Sequence, residues 1–298
     1  LKTLINKMRI ININDQRIFI LIATILMYAL GGGIAHYLGA LFLPFEFLMG
    51  LFWVISIQIS GFLLTLRPDP AKDKYIRNVN VEKIEKKTAT NLQLSRLSLS
   101  FSGVYIAILL INNKISVYIG ALIIITLLGL ILYSIPPFYL SKRGYQEICL
   151  VLFQGCLVPA ISFFILVNYY HRMLFLILFP MTLLALAYYI ALNFSTFAHD
   201  QKIDRKTFVQ RYTWQRSTPI HHILLISGYL FFLLGLGMGL PQKLIWVSFL
   251  TFPLAIYQIY WLIRITRGGR PLLHFFKILA ASVYGLTAYL FALTLWIN

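Results

Sequence analysis

The sequence is poor in acid. Nine Asp and Glu face 26 Lys and Arg in 298 residues, and charged residues of both signs make up only 12% of the chain. A soluble domain carries about twice that share, so there is too little charge here to cover a water-facing surface. Cysteine is scarcer still. Cys149 and Cys156 lie seven apart in one apolar run, which puts them on the same helix face and rules out a bridge between them. Disulfide scaffolds and zinc-finger spacings are thereby excluded. Disorder, collagen and coiled coil fall to the same composition. What fills the chain is apolar: 59% hydrophobic residues, with 15% aromatic. That balance belongs to a polytopic membrane protein.

A bilayer core about 30 Å thick needs about 20 apolar residues per helix. Nine windows qualify, at 18–38, 45–66, 92–112, 115–134, 147–168, 173–194, 220–239, 243–262 and 275–297. The expected fold is all-α, with nine transmembrane helices around a central cavity in a single domain spanning 1–298. Two charged linkers, 67–91 and 195–219, are the long ones. The first includes a stretch, 74–91, that alternates apolar and charged residues and suits an amphipathic cap. The segment before the first apolar run is too long and polar for a cleavable signal peptide.

The formal charge of +17 would suggest nucleic acid in a soluble protein. In a membrane protein it reads as positive-inside topology and attraction to anionic headgroups, and no nucleic-acid partner is expected. Lys114, Arg172 and Lys243 are the three cations on one side of the nine-helix arrangement, and the remaining 23 of 26 fall on the other. This segregation predicts an N-terminus and even-numbered loops in the cytoplasm, in the cell membrane, with the C-terminus outside. Gly31, Gly32 and Gly33 follow no strand, so they read as a close helix contact and not as a phosphate loop. His221 and His222 are expected at the start of the seventh helix.

Four of the nine acids form two D-x-x-x-D pairs, Asp69/Asp73 and Asp200/Asp204, one after helix 2 and the other after helix 6. Four helices apart, both pairs face the same side. On a helix this spacing places two carboxylates on one face, about 5–6 Å apart. Such a pair suits Mg²⁺, which takes one or two carboxylates and leaves its other positions to water and phosphate oxygens.

Nine helices with these two motifs resemble the UbiA superfamily of intramembrane prenyltransferases. The strongest part runs from Asn193 through Asp200, Lys202 and Asp204 to Arg205, Lys206 and Thr207. It is similar to the family's second aspartate motif, with a polar residue seven positions ahead of D-x-x-x-D. The stretch Leu132 to Leu140, containing Pro136 and Pro137 and followed by Arg143, Gly144 and Glu147, resembles the loop after helix 4. Gly155 and Pro159 fit within helix 5. The first motif departs from the family's N-x-x-x-D-x-x-x-D: Thr65 stands in the place of Asn, and Pro68 and Pro70 flank Asp69.

The resemblance implies a Mg²⁺-dependent transfer of an isoprenoid from a prenyl diphosphate to a lipophilic, aromatic acceptor. Asp69, Asp73, Asp200 and Asp204 would act as catalytic metal ligands. Thr65, Asn193, Arg67, Lys72, Arg143, Lys202, Arg205 and Lys206 would bind the diphosphate, whose charge of about −3 exceeds what four carboxylates and two Mg²⁺ neutralise. Two other readings share the scaffold: a related terpene cyclase acting on a prenyl diphosphate, and a non-catalytic lipid-binding or transport protein. Transporters place ionisable residues near the bilayer midplane, whereas these acids sit at helix ends.

Overall fold

The structure is a computed structural model that describes residues 2–66, 81–112, 114–202, 204–269 and 272–297. Among them are nine helices long and apolar enough to cross a membrane, and no strand. They are α1 (Lys2–Tyr37), α2 (Pro44–Thr65), α3 (Val81–Ile111), α4 (Val117–Ser134), α5 (Gln146–Leu166), α6 (Arg172–Lys202), α7 (Phe208–Gly237), α8 (Gln242–Thr266) and α9 (Leu273–Ile297). Each coincides with one of the nine apolar windows.

Several helices outrun their windows. Residues 81–91 continue as the first turns of α3, while the rest of the proposed amphipathic cap, 74–80, lies outside the described residues. The linker expected over 195–219 is mostly helix, because α6 runs to Lys202 and α7 begins at Phe208. Polar residues in these turns cost little where the backbone hydrogen bonds continue, so the helices extend past the apolar core. His221 therefore sits thirteen residues inside α7 and is fully buried, 2.9 Å from the Gln258 amide nitrogen, and not at a helix start. Within its length α7 breaks at Thr213, whose φ is +66°.

α6 is the central helix. Some 72% of its apolar span is buried inside the protein, against 22% for α3. It packs most heavily on α7 and then on α9, while α1 packs against α9 and the second half of α5, and α2 against α3. Small residues set these distances. A Cβ on Gly31 would lie 2.0 Å from the Pro159 carbonyl oxygen, so α1 meets α5 by backbone contact. α5 itself passes through a π-helical stretch, Leu152–Leu157, where Gly155 lies against the backbone of Thr182 on α6. Trp296 Nε1 donates to Ala29 O at 2.9 Å, tying α9 back to α1. At the end away from the aspartate motifs, Lys114 pairs with Glu46, which unites one of the three segregated cations with an acid the sequence places on the same side.

Candidate functional site

The last turns of α6 carry Asn193, Thr196 and Asp200, three, four and seven residues apart and so on one face. Asp200 is 0% exposed. The Thr196 hydroxyl donates to its Oδ2 at 2.5 Å. Its Oδ1 accepts no hydrogen bond among the described residues, and Arg205 Nη1 stands 3.6 Å away. Asn193 Nδ2 donates at 2.7 Å to Oε1 of Glu147, which is buried in the first turn of α5. Backbone N–H groups of Glu147 itself and of Phe208, the first residue of α7, are directed at the same carboxylate. Its Oε2 nevertheless completes no hydrogen bond among the described residues.

Arg205 joins the two helices. Its Nη2 donates to Gln146 Oε1 at 2.8 Å, while Nη1 faces Asp200. Arg17 of α1 lies near enough to repel Arg205 electrostatically, so two guanidinium groups share this end of the bundle. The loop after α4 docks on the loop after α6 through an isolated parallel bridge between Arg143 and Lys206. Gly144 makes that approach with φ +82°, a conformation that side chains rarely adopt. Arg143 Nη2 donates to Pro137 O at 2.7 Å, and the Arg211 guanidinium lies 4.2 Å over the Tyr145 ring. Thr207 caps α7, its hydroxyl accepting from Gln210 N at 3.4 Å.

The expected residues divide into three groups. Asn193, Asp200 and Arg205 converge with Glu147, Thr196 and Gln146. Asp204, Lys202 and Lys206 are exposed at the turn beyond. α6 stops before Asp204, which takes φ +50°, so Asp200 and Asp204 are not on one face of a continuous helix. Arg205 N donates to Asp200 O at 2.9 Å to close this turn, and Asp is among the few residues that enter the left-handed region readily. At the last position of α2, Thr65 donates its hydroxyl to Phe62 O at 2.9 Å. Arg67, Asp69, Lys72 and Asp73 lie outside the described residues.

Three partners escaped the sequence reading. Glu147 was visible as one of nine acids, opening an apolar run beside Gln146. Thr196 precedes Asp200 by four residues, the spacing of helical neighbours. Arg17 carried no such signal, since sequence alone does not say which helix faces α6.

Among the described residues no three His, Cys, Asp or Glu side chains gather. Glu147 and Asp200 each offer a buried oxygen that lacks a hydrogen-bond partner, which is costly unless a cation supplies the charge. Two hard oxygen donors fit a Mg²⁺ that completes its shell with water and phosphate.

Beside this cluster, between α2, α4 and α5, lies a cavity of about 360 Å³ with apolar walls. Cys149 and Cys156 both line it, as expected for residues on one helix face, and both are free thiols. Tyr133 belongs to its wall and also lies within electrostatic reach of Arg205, Glu147 and Arg17, so the cavity abuts the polar cluster.

Comparison with known proteins was informative at the level of family and fold. A family model described as the UbiA prenyltransferase family matches residues 82–296. The chain is also similar to the apo structure of a UbiA homologue from Aeropyrum pernix K1, with a TM-score of 0.61 and 12% identity, covering 90% of this chain and 94% of the other. No curated protein matches it by sequence.

Proposed function

Because the chain belongs to the UbiA prenyltransferase family, we propose that it transfers an isoprenoid chain from a prenyl diphosphate to a lipophilic acceptor within the bilayer. The observation that carries this reading is the pair of buried carboxylates, Asp200 and Glu147, with unpaired oxygens beside the Arg205 and Arg17 guanidiniums. A site of both signs, at the end of a bundle and against an apolar cavity, matches an amphipathic anion with a metal and a hydrocarbon tail.

The residues divide the work. Arg205, Arg17 and Arg143 draw the diphosphate to the helix ends, with Lys202 and Lys206 adding positive potential from the exposed turn. Asp200 and Glu147 would hold Mg²⁺, together with Asp204 and with Asp69 and Asp73 of the first motif. When bound, Mg²⁺ supplies positive charge against the oxygens of the leaving group. Asn193 orients the Glu147 carboxylate, and Thr196 orients that of Asp200. Thr65 offers a hydroxyl oxygen at the end of α2. The bond between the allylic carbon and the diphosphate oxygen breaks, and its electron pair leaves with the diphosphate. The allylic carbon bonds to the acceptor, which loses a proton to water. Apolar walls keep water from the carbocation in the interval. Cation segregation supports a cytoplasmic position for this end in the cell membrane.

The test is incubation of the purified protein in lipid nanodiscs with geranyl, farnesyl and geranylgeranyl diphosphates, with Mg²⁺ or with chelator, and mass spectrometry of the products. A prenylated lipid formed only with Mg²⁺ is expected. A cyclic hydrocarbon or terpene alcohol formed without acceptor would replace this reading with the cyclase. No consumption of any of the three donors would defeat both.

A further inference from the structure

The cavity between α2, α4 and α5 contains two polar side chains that its apolar character does not explain. Gln58 of α2 and Thr126 of α4 stand in its wall, 5% and 2% exposed. Neither amide atom of Gln58 and not the hydroxyl of Thr126 makes a hydrogen bond among the described residues. This is unusual within the molecule itself. Thr24, Thr182 and Thr287, on other spans, each donate to the carbonyl four residues earlier. The buried Gln154 amide is satisfied on both atoms, by Ile20 O, Thr24 and Tyr189.

Gln58 lies seven residues before the end of α2, and Thr126 eight before the end of α4. At a rise of about 1.5 Å per residue both sit roughly 10–12 Å below the helix ends, within the hydrocarbon layer. There water does not compensate them, and an unpaired amide is expensive. The two side chains are complementary in kind: the carboxamide donates and accepts, and so does the hydroxyl. No Lys, Arg, His, Asp or Glu lines the cavity, so nothing would neutralise a charged guest. Its walls include the exposed Ile125, Leu132 and Leu152, which face lipid and leave the entrance open to the bilayer.

We infer that this cavity is a laterally loaded site for a neutral lipophilic molecule bearing a hydroxyl or carbonyl group, recognised by Gln58 and Thr126. Its volume of about 360 Å³ lies in the ordinary range for small-molecule sites, about 300–1,000 Å³. Resting on the prenyl-transfer reading, the inference names the acceptor class as uncharged, of phenol, quinol or alcohol type, and excludes carboxylate-bearing aromatics from this cavity.

Cys149 and Cys156 report on the cavity directly, being the two thiols of the chain and both in its wall. The protein in nanodiscs is treated with N-ethylmaleimide, and modification of each cysteine is followed by mass spectrometry. Three probes are added at equal membrane mole fraction: 4-dodecylphenol, dodecylbenzene and 4-dodecylbenzoate. The phenol should protect the thiols at about tenfold lower concentration than the hydrocarbon, the effect of one or two hydrogen bonds, and the benzoate should protect least. Gln58→Met with Thr126→Val should erase the preference for phenol while leaving protection by dodecylbenzene in place. That residual protection shows the variant to be folded. Equal protection by phenol and hydrocarbon in the unaltered protein would overturn the inference, as would stronger protection by the benzoate.

Consumption of prenyl diphosphate is measured on the same preparations. Phenol-selective protection without donor consumption upholds the cavity and defeats the transfer reading. Donor transfer with no phenol preference does the reverse.

Discussion

Asp200→Asn separates charge from structure. The substitution keeps an oxygen to accept from Thr196 and removes only the negative charge and one acceptor. Two opposing contributions to folding change. Burying the carboxylate costs several kcal/mol in the folded protein, and that cost is relieved. Its attraction to Arg205 at 3.6 Å is lost, about 4–5 kcal/mol at an effective dielectric of ~20 before discounting. Arg205 is 43% exposed, so solvent screening reduces that figure to the order of the desolvation cost. The two nearly cancel, and the thermal midpoint of the variant in nanodiscs should stay within about 5 °C of the unaltered protein. Turnover should not. Removing a principal charge stabiliser at a phosphate-transfer centre costs about 100- to 1,000-fold in rate, or roughly 2.7–4 kcal/mol of barrier. The assay is release of diphosphate from farnesyl and geranylgeranyl diphosphates at saturating Mg²⁺, with intrinsic tryptophan fluorescence for the midpoint. Near-normal turnover would show that the buried carboxylate plays no part in the chemistry. A collapse of stability with proportionate loss of activity would show that Asp200 is structural.

Asp204→Asn should lose less turnover than Asp200→Asn under the same assay, because Asp204 is exposed beyond the helix end and Asn also accepts its left-handed backbone; equal losses would place it at the metal. Asn193→Leu removes the 2.7 Å hydrogen bond to Glu147, and should lower kcat/KM about tenfold and raise the Mg²⁺ concentration required, an effect that Asn193→Gln partly restores. Gly31→Ala drives a methyl to 2.0 Å from Pro159 O, and should lower the thermal midpoint by an amount equivalent to about 1–3 kcal/mol; an unchanged midpoint would mean that α1 and α5 part easily. Reporters fused at the two ends of the chain should read cytoplasmic at the N-terminal end and external at the C-terminal end, and reversed signals would refute the orientation drawn from the cation segregation.

Length and composition determined the class of this protein without help from coordinates. A membrane helix must satisfy its own backbone and present about 20 apolar residues to lipid, so each of the nine windows announces itself locally. The glycine triplet of α1 was legible for a similar reason, since in an apolar helix a run of missing side chains leaves room only for another backbone. The pairing of acids likewise singled out Asp200, and Asn193 two turns before it.

What the sequence could not supply was the partner across a helix interface. Asn193 meets Glu147 from 46 residues away, and Arg205 reaches Gln146 across 59; such contacts depend on rotation and tilt, which packing sets and periodicity does not. The end of α6 was hidden too, because a four-residue spacing looks the same whether the helix continues or turns at a left-handed Asp204. Gln58 and Thr126 gave no signal at all. A lone polar residue in an apolar run is commonly satisfied by the preceding turn, and only the surrounding side chains show that these two stand unpaired in the wall of one cavity.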